Sequence, residues 1–115
     1  MTPPTELRVS KDRRTLAVHF ADMSGVLEAE LLRVLSPSAE VQGHSPEQRV
    51  TVGGKRNVAI QAIHPVGHYA VRIVFDDGHD TGIFTWNYLR QLVEERDTRW
   101  RGYLDELASK HLTRG

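Results

Sequence analysis

The run Asp76-Asp77-Gly78-His79-Asp80 sets three carboxylates around one imidazole within a single turn. Asp and Gly in sequence favour a tight turn, and Asp side chains cap such turns through their own backbone. Two chemistries are open to His79. It can be a turn histidine held by hydrogen bonds. It can also serve as a metal ligand, with Asp77 or Asp80 and with Glu40 or His44 from a distant loop, although a mixed imidazole–carboxylate set suits zinc or iron only weakly. The other histidines, at positions 19, 44, 64, 68 and 111, make neither an H-E-x-x-H pair nor the H-x-D of an iron facial triad. No cysteine is present, which excludes disulfides, thiolate ligands and a cysteine nucleophile. No Gly-x-Ser-x-Gly occurs, and Ser24, Ser36, Ser38 and Ser45 have no base identifiable from spacing. Gly53-Gly54-Lys55 lacks the first glycine and the hydroxyl residue of a phosphate loop. With no nucleophile–base pair and no cofactor motif, a non-enzymatic protein is expected.

The elements that must position this turn follow from periodicity. Tyr69, Val71, Ile73 and Phe75 alternate with His68, Ala70, Arg72 and Val74, giving a strand that enters the turn. Gly82-Ile83-Phe84 resumes extended chain, and Thr85 can cap a helix that begins at Trp86. Upstream, Glu6–Val9 and Thr15–Phe20 alternate around the polar turn 10–14 and predict a hairpin. Glu28–Leu35 consists of good helix formers, and Ser36-Pro37 ends it. Residues 36–46 form a loop longer than usual. Gln48–Val52 is expected as a strand, with Gly53-Gly54 as a hairpin turn and Asn57–His64 as the returning strand, carrying Val58, Ile60 and Ala62 on one face. Pro65-Val66-Gly67 is expected to turn the chain. Leu89, Leu92, Val93, Trp100, Tyr103, Leu104 and Leu107 give one amphipathic stripe over residues 86–110, with a break near Asp97-Thr98.

The fold class predicted is therefore α+β: a small, mainly antiparallel sheet, a meander of short strands, with one short helix and a C-terminal amphipathic helix. The expected core comprises Val18, Phe20, Leu31, Leu32, Ile60, Val71, Ile73, Phe75, Phe84, Trp86, Leu89 and Leu92. At 115 residues the chain is one domain by size. Fifteen basic residues balance fifteen acidic ones, which argues against nucleic acid or an anionic membrane as partner. No apolar run approaches the ~20 residues that span a bilayer, and the first residues lack a signal-peptide pattern. A cytoplasmic protein with a protein partner is the expectation, and nothing in the pattern specifies an oligomeric state.

LLRVLSPSAEVQGH at 31–44, the V-G-x-Y-A-V segment at 66–71 and FDDGHDTGIFTWNYL at 75–89 resemble the gamma-butyrobetaine hydroxylase-like N-terminal domain family, formerly a domain of unknown function. The resemblance implies a lead-in at 1–4, the domain at 5–93 and a C-terminal helical extension at 94–115. In the eukaryotic hydroxylases of the family, three cysteines and a histidine hold a structural zinc ahead of a separate oxygenase domain. Those cysteine positions fall here at Ser36, Ser38 and Val41, and the histidine at His79. One ligand of four remains, because a hydroxyl is a poor zinc ligand and valine is none. The oxygenase domain has no counterpart, so hydroxylase activity does not carry over. Stand-alone bacterial members, and members fused to Mrp-type iron–sulfur carrier ATPases, imply an association with iron–sulfur or iron-dependent proteins. The expected function is a small binding or adaptor module with no cofactor beyond weak zinc or iron. Its partner surface would be Arg33, Glu40, His44, Asp77 and His79. The alternative is a zinc or iron domain built on His79, nearby carboxylates and His44. In the first reading the 36–40 loop and the Asp-Gly-His turn lie together, with Ser36 or Ser38 hydrogen-bonded locally in the loop and His79 bonded to a carboxylate or backbone carbonyl rather than a metal.

Overall fold

The structure, a computed structural model, describes residues 2–115. Three antiparallel strands come first: β1 (Glu6–Val9), β2 (Thr15–His19) and β3 (Ser24–Glu28), paired in the order β1-β2-β3. Two short helices follow, α1 (Ala29–Val34) and α2 (Ala39–Gln42), then a 3-10 turn at Pro46–Gln48. A second antiparallel sheet is built from β4 (Ile60–Val66), β5 (Ala70–Phe75) and β6 (Gly82–Thr85). The helices α3 (Trp86–Glu94) and α4 (Arg96–Ser109) close the domain. The class is α+β with antiparallel strands, divided between two three-stranded sheets.

Alternation drives the strands as expected. Leu16 and Val18 on β2, and Val71, Ile73 and Phe75 on β5, are buried in a core shared with Leu31, Leu32, Phe84, Leu89 and Leu92. Thr85 caps α3, its hydroxyl accepting from the Tyr88 backbone N–H at 3.1 Å. The two sheets are tied where Ile60 N–H donates to Arg13 O (2.7 Å) and the Arg13 guanidinium returns bonds to Ile60 O and Gln61 O.

Six local expectations are corrected. Ser24–Glu28 is a strand, because every residue finds a partner on β2, and the helix formers begin to act only at Ala29. Residues 48–52 are not a strand and Gly53-Gly54 joins no hairpin. The segment instead follows the 3-10 turn at Pro46–Gln48, and Val50 N–H donates to Val41 O at 2.7 Å. A register shift between Ile60 and Ala62 moves the inward face from Ala62 to Ile63, which packs on the core, as a bulge does. Pro65-Val66 belongs to β4 rather than to a turn; β4 lies at the sheet edge, where a missing N–H is tolerated. The C-terminal stripe is two helices that break at Glu95. Trp86, expected inside, is half-buried: it packs on the core while its indole N–H reaches His68 O at 2.8 Å.

Candidate functional site

α1 ends at Val34, and the chain turns through Ser36, Pro37 and Ser38 into α2, which carries Glu40 outward. β5 ends at Phe75, and the turn that follows is closed by Gly78 N–H to Phe75 O (3.2 Å) and Phe75 N–H to His79 O (2.9 Å). The loop and the turn meet through one side chain. His79 Nε2 lies 2.9 Å from Ser36 Oγ and 3.4 Å from Ser38 Oγ. On its other edge, Nδ1 faces Glu40 Oε2 at 3.3 Å. A carboxylate only accepts, so the imidazole proton belongs on Nδ1 and the Nε2 lone pair receives the serine hydroxyls. Glu40 is itself placed by Thr81, whose hydroxyl donates to Oε1 at 2.8 Å. The imidazole ring also lies 6.0 Å from that of Phe75.

Asp77 forms the charged half of the turn. Its Oδ1 accepts from the His79 backbone N–H at 3.0 Å, which is the expected Asx-type cap. Its Oδ2 takes Lys55 Nζ at 2.6 Å and Arg33 Nε at 2.7 Å. Burial opposes this charge, but the bonds from Lys55, the His79 N–H and Arg33 outweigh it and hold the carboxyl well below the usual carboxylate range. Asp76 does not cap its own turn; its Oδ1 accepts from Ala59 N–H at 3.0 Å and fastens the start of β4. Burial, then the nearby Arg33 charge, push His79 below the ordinary imidazole value, while Glu40 and Asp77 pull the other way. His79 is therefore a neutral histidine near pH 7. Arg33 Nη1 is buried without a hydrogen-bond partner among the described residues.

The order hydroxyl–imidazole–carboxylate is that of a serine hydrolase triad. Here it has no substrate side. Ser36 is 0 % exposed, and a Cβ placed on Gly82 would stand 2.3 Å from its Oγ. The β6 backbone thus occupies the space an acyl group would need. A cleft of about 480 Å³ opens beyond Pro37, but its polar groups are already engaged: Tyr88 donates to Leu35 O, Tyr103 to Val52 O, and Arg49 pairs with Glu106.

The structure brings together Ser36, Ser38, Glu40, Asp77, Arg33 and His79. Val41 is buried as core, 2 % exposed. His44 is exposed and makes its bond through its backbone, to Gln48 Oε1. Lys55, Thr81 and Gly82 carry weight that sequence reasoning did not assign. Gly82 had a signal, since a glycine inside a strand marks a close backbone approach. The donor set does not fit the zinc implied by the resemblance: two hydroxyls and one imidazole face each other, and among the described residues no three His, Cys, Asp or Glu side chains are grouped to hold a metal.

These features define a small α+β domain whose loop and turn are joined by side chains. Residues 7–90 match the family described as gamma-butyrobetaine hydroxylase-like, N-terminal, and the chain belongs to that family. A solution NMR structure is similar at 46 % identity and TM-score 0.86, covering 99 % of this chain and 90 % of that one. A second NMR structure matches at 43 % identity and TM-score 0.84, covering 99 % and 86 %. A crystal structure of a DUF971-family protein of unknown function from Acidithiobacillus ferrooxidans matches at 43 % identity and TM-score 0.64, covering 77 % of this chain and 90 % of that one. No curated protein matches. Among the described residues no helix is long and apolar enough to cross a membrane.

Proposed function

We propose that this protein is a non-enzymatic binding or adaptor module whose partner is another protein. The observation that supports this reading is the joint at His79. Its hydroxyl, imidazole and carboxylate groups satisfy one another and leave no reacting atom open. A site that fastens two segments, with its nucleophile sealed, suits a rigid recognition surface better than a reaction. The surface left outward is narrower than the residue pattern suggests. Arg33, Asp77 and His79 face inward, with side chains 13 %, 18 % and 3 % exposed, whereas Glu40 stays 62 % exposed and His44 is exposed. Glu40 and His44 are the residues we assign to partner contact. Family resemblance favours iron–sulfur or iron-dependent proteins in the cytoplasm as the class to search.

The test is co-purification of the untagged protein from its native lysate, with metal analysis of the same sample. A specific partner should survive moderate salt and be lost in a Glu40→Lys/His44→Glu double variant that keeps its fold. Stoichiometric zinc or iron, or a partner indifferent to that variant, would contradict the reading.

A further inference from the structure

A second polar joint lies away from His79 and does not depend on its reading. Glu30 is the second residue of α1 and is only 5 % exposed. A buried carboxylate needs a partner, and it finds one in Arg114, 84 residues later: Nη2 donates to Oε1 at 2.7 Å and Nε to Oε2 at 2.9 Å. This is the two-bond fork by which guanidinium is recognised in preference to ammonium. The same guanidinium lies over the Trp100 ring of α4, 5.0 Å from its centroid, a further contact that favours a delocalised cation.

The chain reaches this slot as a tail, residues 112–115, that belongs to no helix or strand. Leu112 N–H closes the end of α4 on Leu107 O (2.9 Å). Gly54 N–H then donates to Thr113 O at 2.9 Å and Arg56 N–H to Arg114 O at 2.8 Å. Gly53 is where the tail comes closest, since a Cβ there would stand 2.9 Å from Thr113 O. Arg114 lines two clefts, of about 250 and 230 Å³, that flank the tail. The body of the domain therefore supplies two backbone donors, a buried carboxylate and an aromatic face, while the tail supplies two carbonyls and one arginine.

We propose that the Glu30 slot is an arginine-recognition site for a peptide segment of a protein partner, kept closed by the chain's own Arg114. Backbone bonds that give affinity, joined to one side-chain pocket that gives specificity, are a common way of recognising a peptide. The occupant is a partner segment bearing arginine, because charge, fork geometry and backbone donors are all complementary to one. The internal tail competes at the effective concentration of a tethered ligand, so the intact chain binds the partner segment weakly until the tail is displaced.

The probe is a fluorescein-labelled peptide, Leu-Thr-Arg-Gly-amide, titrated against the full chain by anisotropy. Arg114→Ala should bind it at least about tenfold more tightly than the unaltered protein, since the competitor for the slot is removed. Replacing the peptide's arginine by alanine, or adding Glu30→Gln to Arg114→Ala, should abolish the gain. If circular dichroism shows that Arg114→Ala does not fold, Arg114→Lys replaces it; this keeps the charge, loses the fork, and must show a gain in the same direction. Equal affinity for the altered and unaltered chains, or binding that ignores the peptide's arginine, would overturn the proposal. Neither result bears on the His79 joint, which the peptide does not touch.

Discussion

The two joints do the same mechanical task with opposite chemistry. At His79, hydroxyls and a neutral imidazole fasten the 36–40 loop to the 77–81 turn, across 41 to 43 residues of chain. At Glu30, a charged fork fastens the tail to α1 across 84 residues. The first sits against the β6 backbone, with Ser36 fully covered; the second keeps one partner, Arg114, 33 % exposed. The neutral joint costs little to desolvate but works only at short range and fixed geometry. The charged joint tolerates partial exposure, yet leaves a costly unpaired carboxylate whenever its cation departs. The first is suited to permanence and the second to exchange.

The largest expected effect comes from breaking the charged joint. Arg114→Ala should destabilise the fold by about 3–5 kcal/mol, the scale for removing one partner of a buried pair. Adding Glu30→Leu should restore most of that loss. Chemical denaturation of the single and double variants measures both. A single-variant loss well under 1 kcal/mol would show that water already serves Glu30.

The neutral joint is sharpened by two smaller changes. Gly82→Ala drives a methyl onto Ser36 Oγ, which must rotate away from His79, and should cost about 1–3 kcal/mol as an overpacked site. Ser36→Ala leaves His79 Nε2 with only the longer Ser38 contact, 3.4 Å, and should cost about 1–2 kcal/mol. The two losses should not add, because both remove the same bond. Additive losses would mean that the Ser36–His79 bond contributes little.

The pH profile separates the joints again. His79 has its folded-state pKa lowered, first by burial and then by Arg33, so the unfolded chain takes up a proton more readily than the folded one. Its contribution to stability is level above about pH 6.5 and declines as the pH falls below that. Asp77, also depressed in the folded state, contributes fully above about pH 4 and is lost only at lower pH. Thermal melts from pH 8 to 4 should show the first decline, and His79→Gln should remove it. A flat profile down to pH 5 would contradict the buried, neutral histidine.

The strands that alternate over a single buried face were legible in the sequence. β1 was read with the bounds it has and β2 to within one residue, whereas β5, read from His68, begins two residues later at Ala70. β3 was not, because Gly25-Val26-Leu27 runs into strong helix formers, and only pairing with β2 reveals it. The bulge after Ile60 is also invisible in composition, since it shifts one residue of register without changing residue types. The approach of the 36–40 loop to the Asp-Gly-His turn was legible through family resemblance, and so was a carboxylate partner for His79, but the bond from Ser36 across to His79 was not, since the serines were expected to bond within their own loop. Lys55 and Thr81 were not, because their roles come from the approach of segments with no common periodicity. Glu30 and Arg114 gave no signal either: a glutamate early in a helix and an arginine in a tail are each ordinary on a surface.

The most direct test of the central claim, that His79 holds loop to turn as a neutral imidazole without a metal, is ¹⁵N NMR of the histidine rings with and without equimolar zinc or ferrous iron. At pH 7 His79 should carry its proton on Nδ1, leave Nε2 as an acceptor, and keep both ring resonances unchanged on adding metal. Tight stoichiometric binding that shifts the His79 nitrogens, and that His79→Ala abolishes, would contradict it.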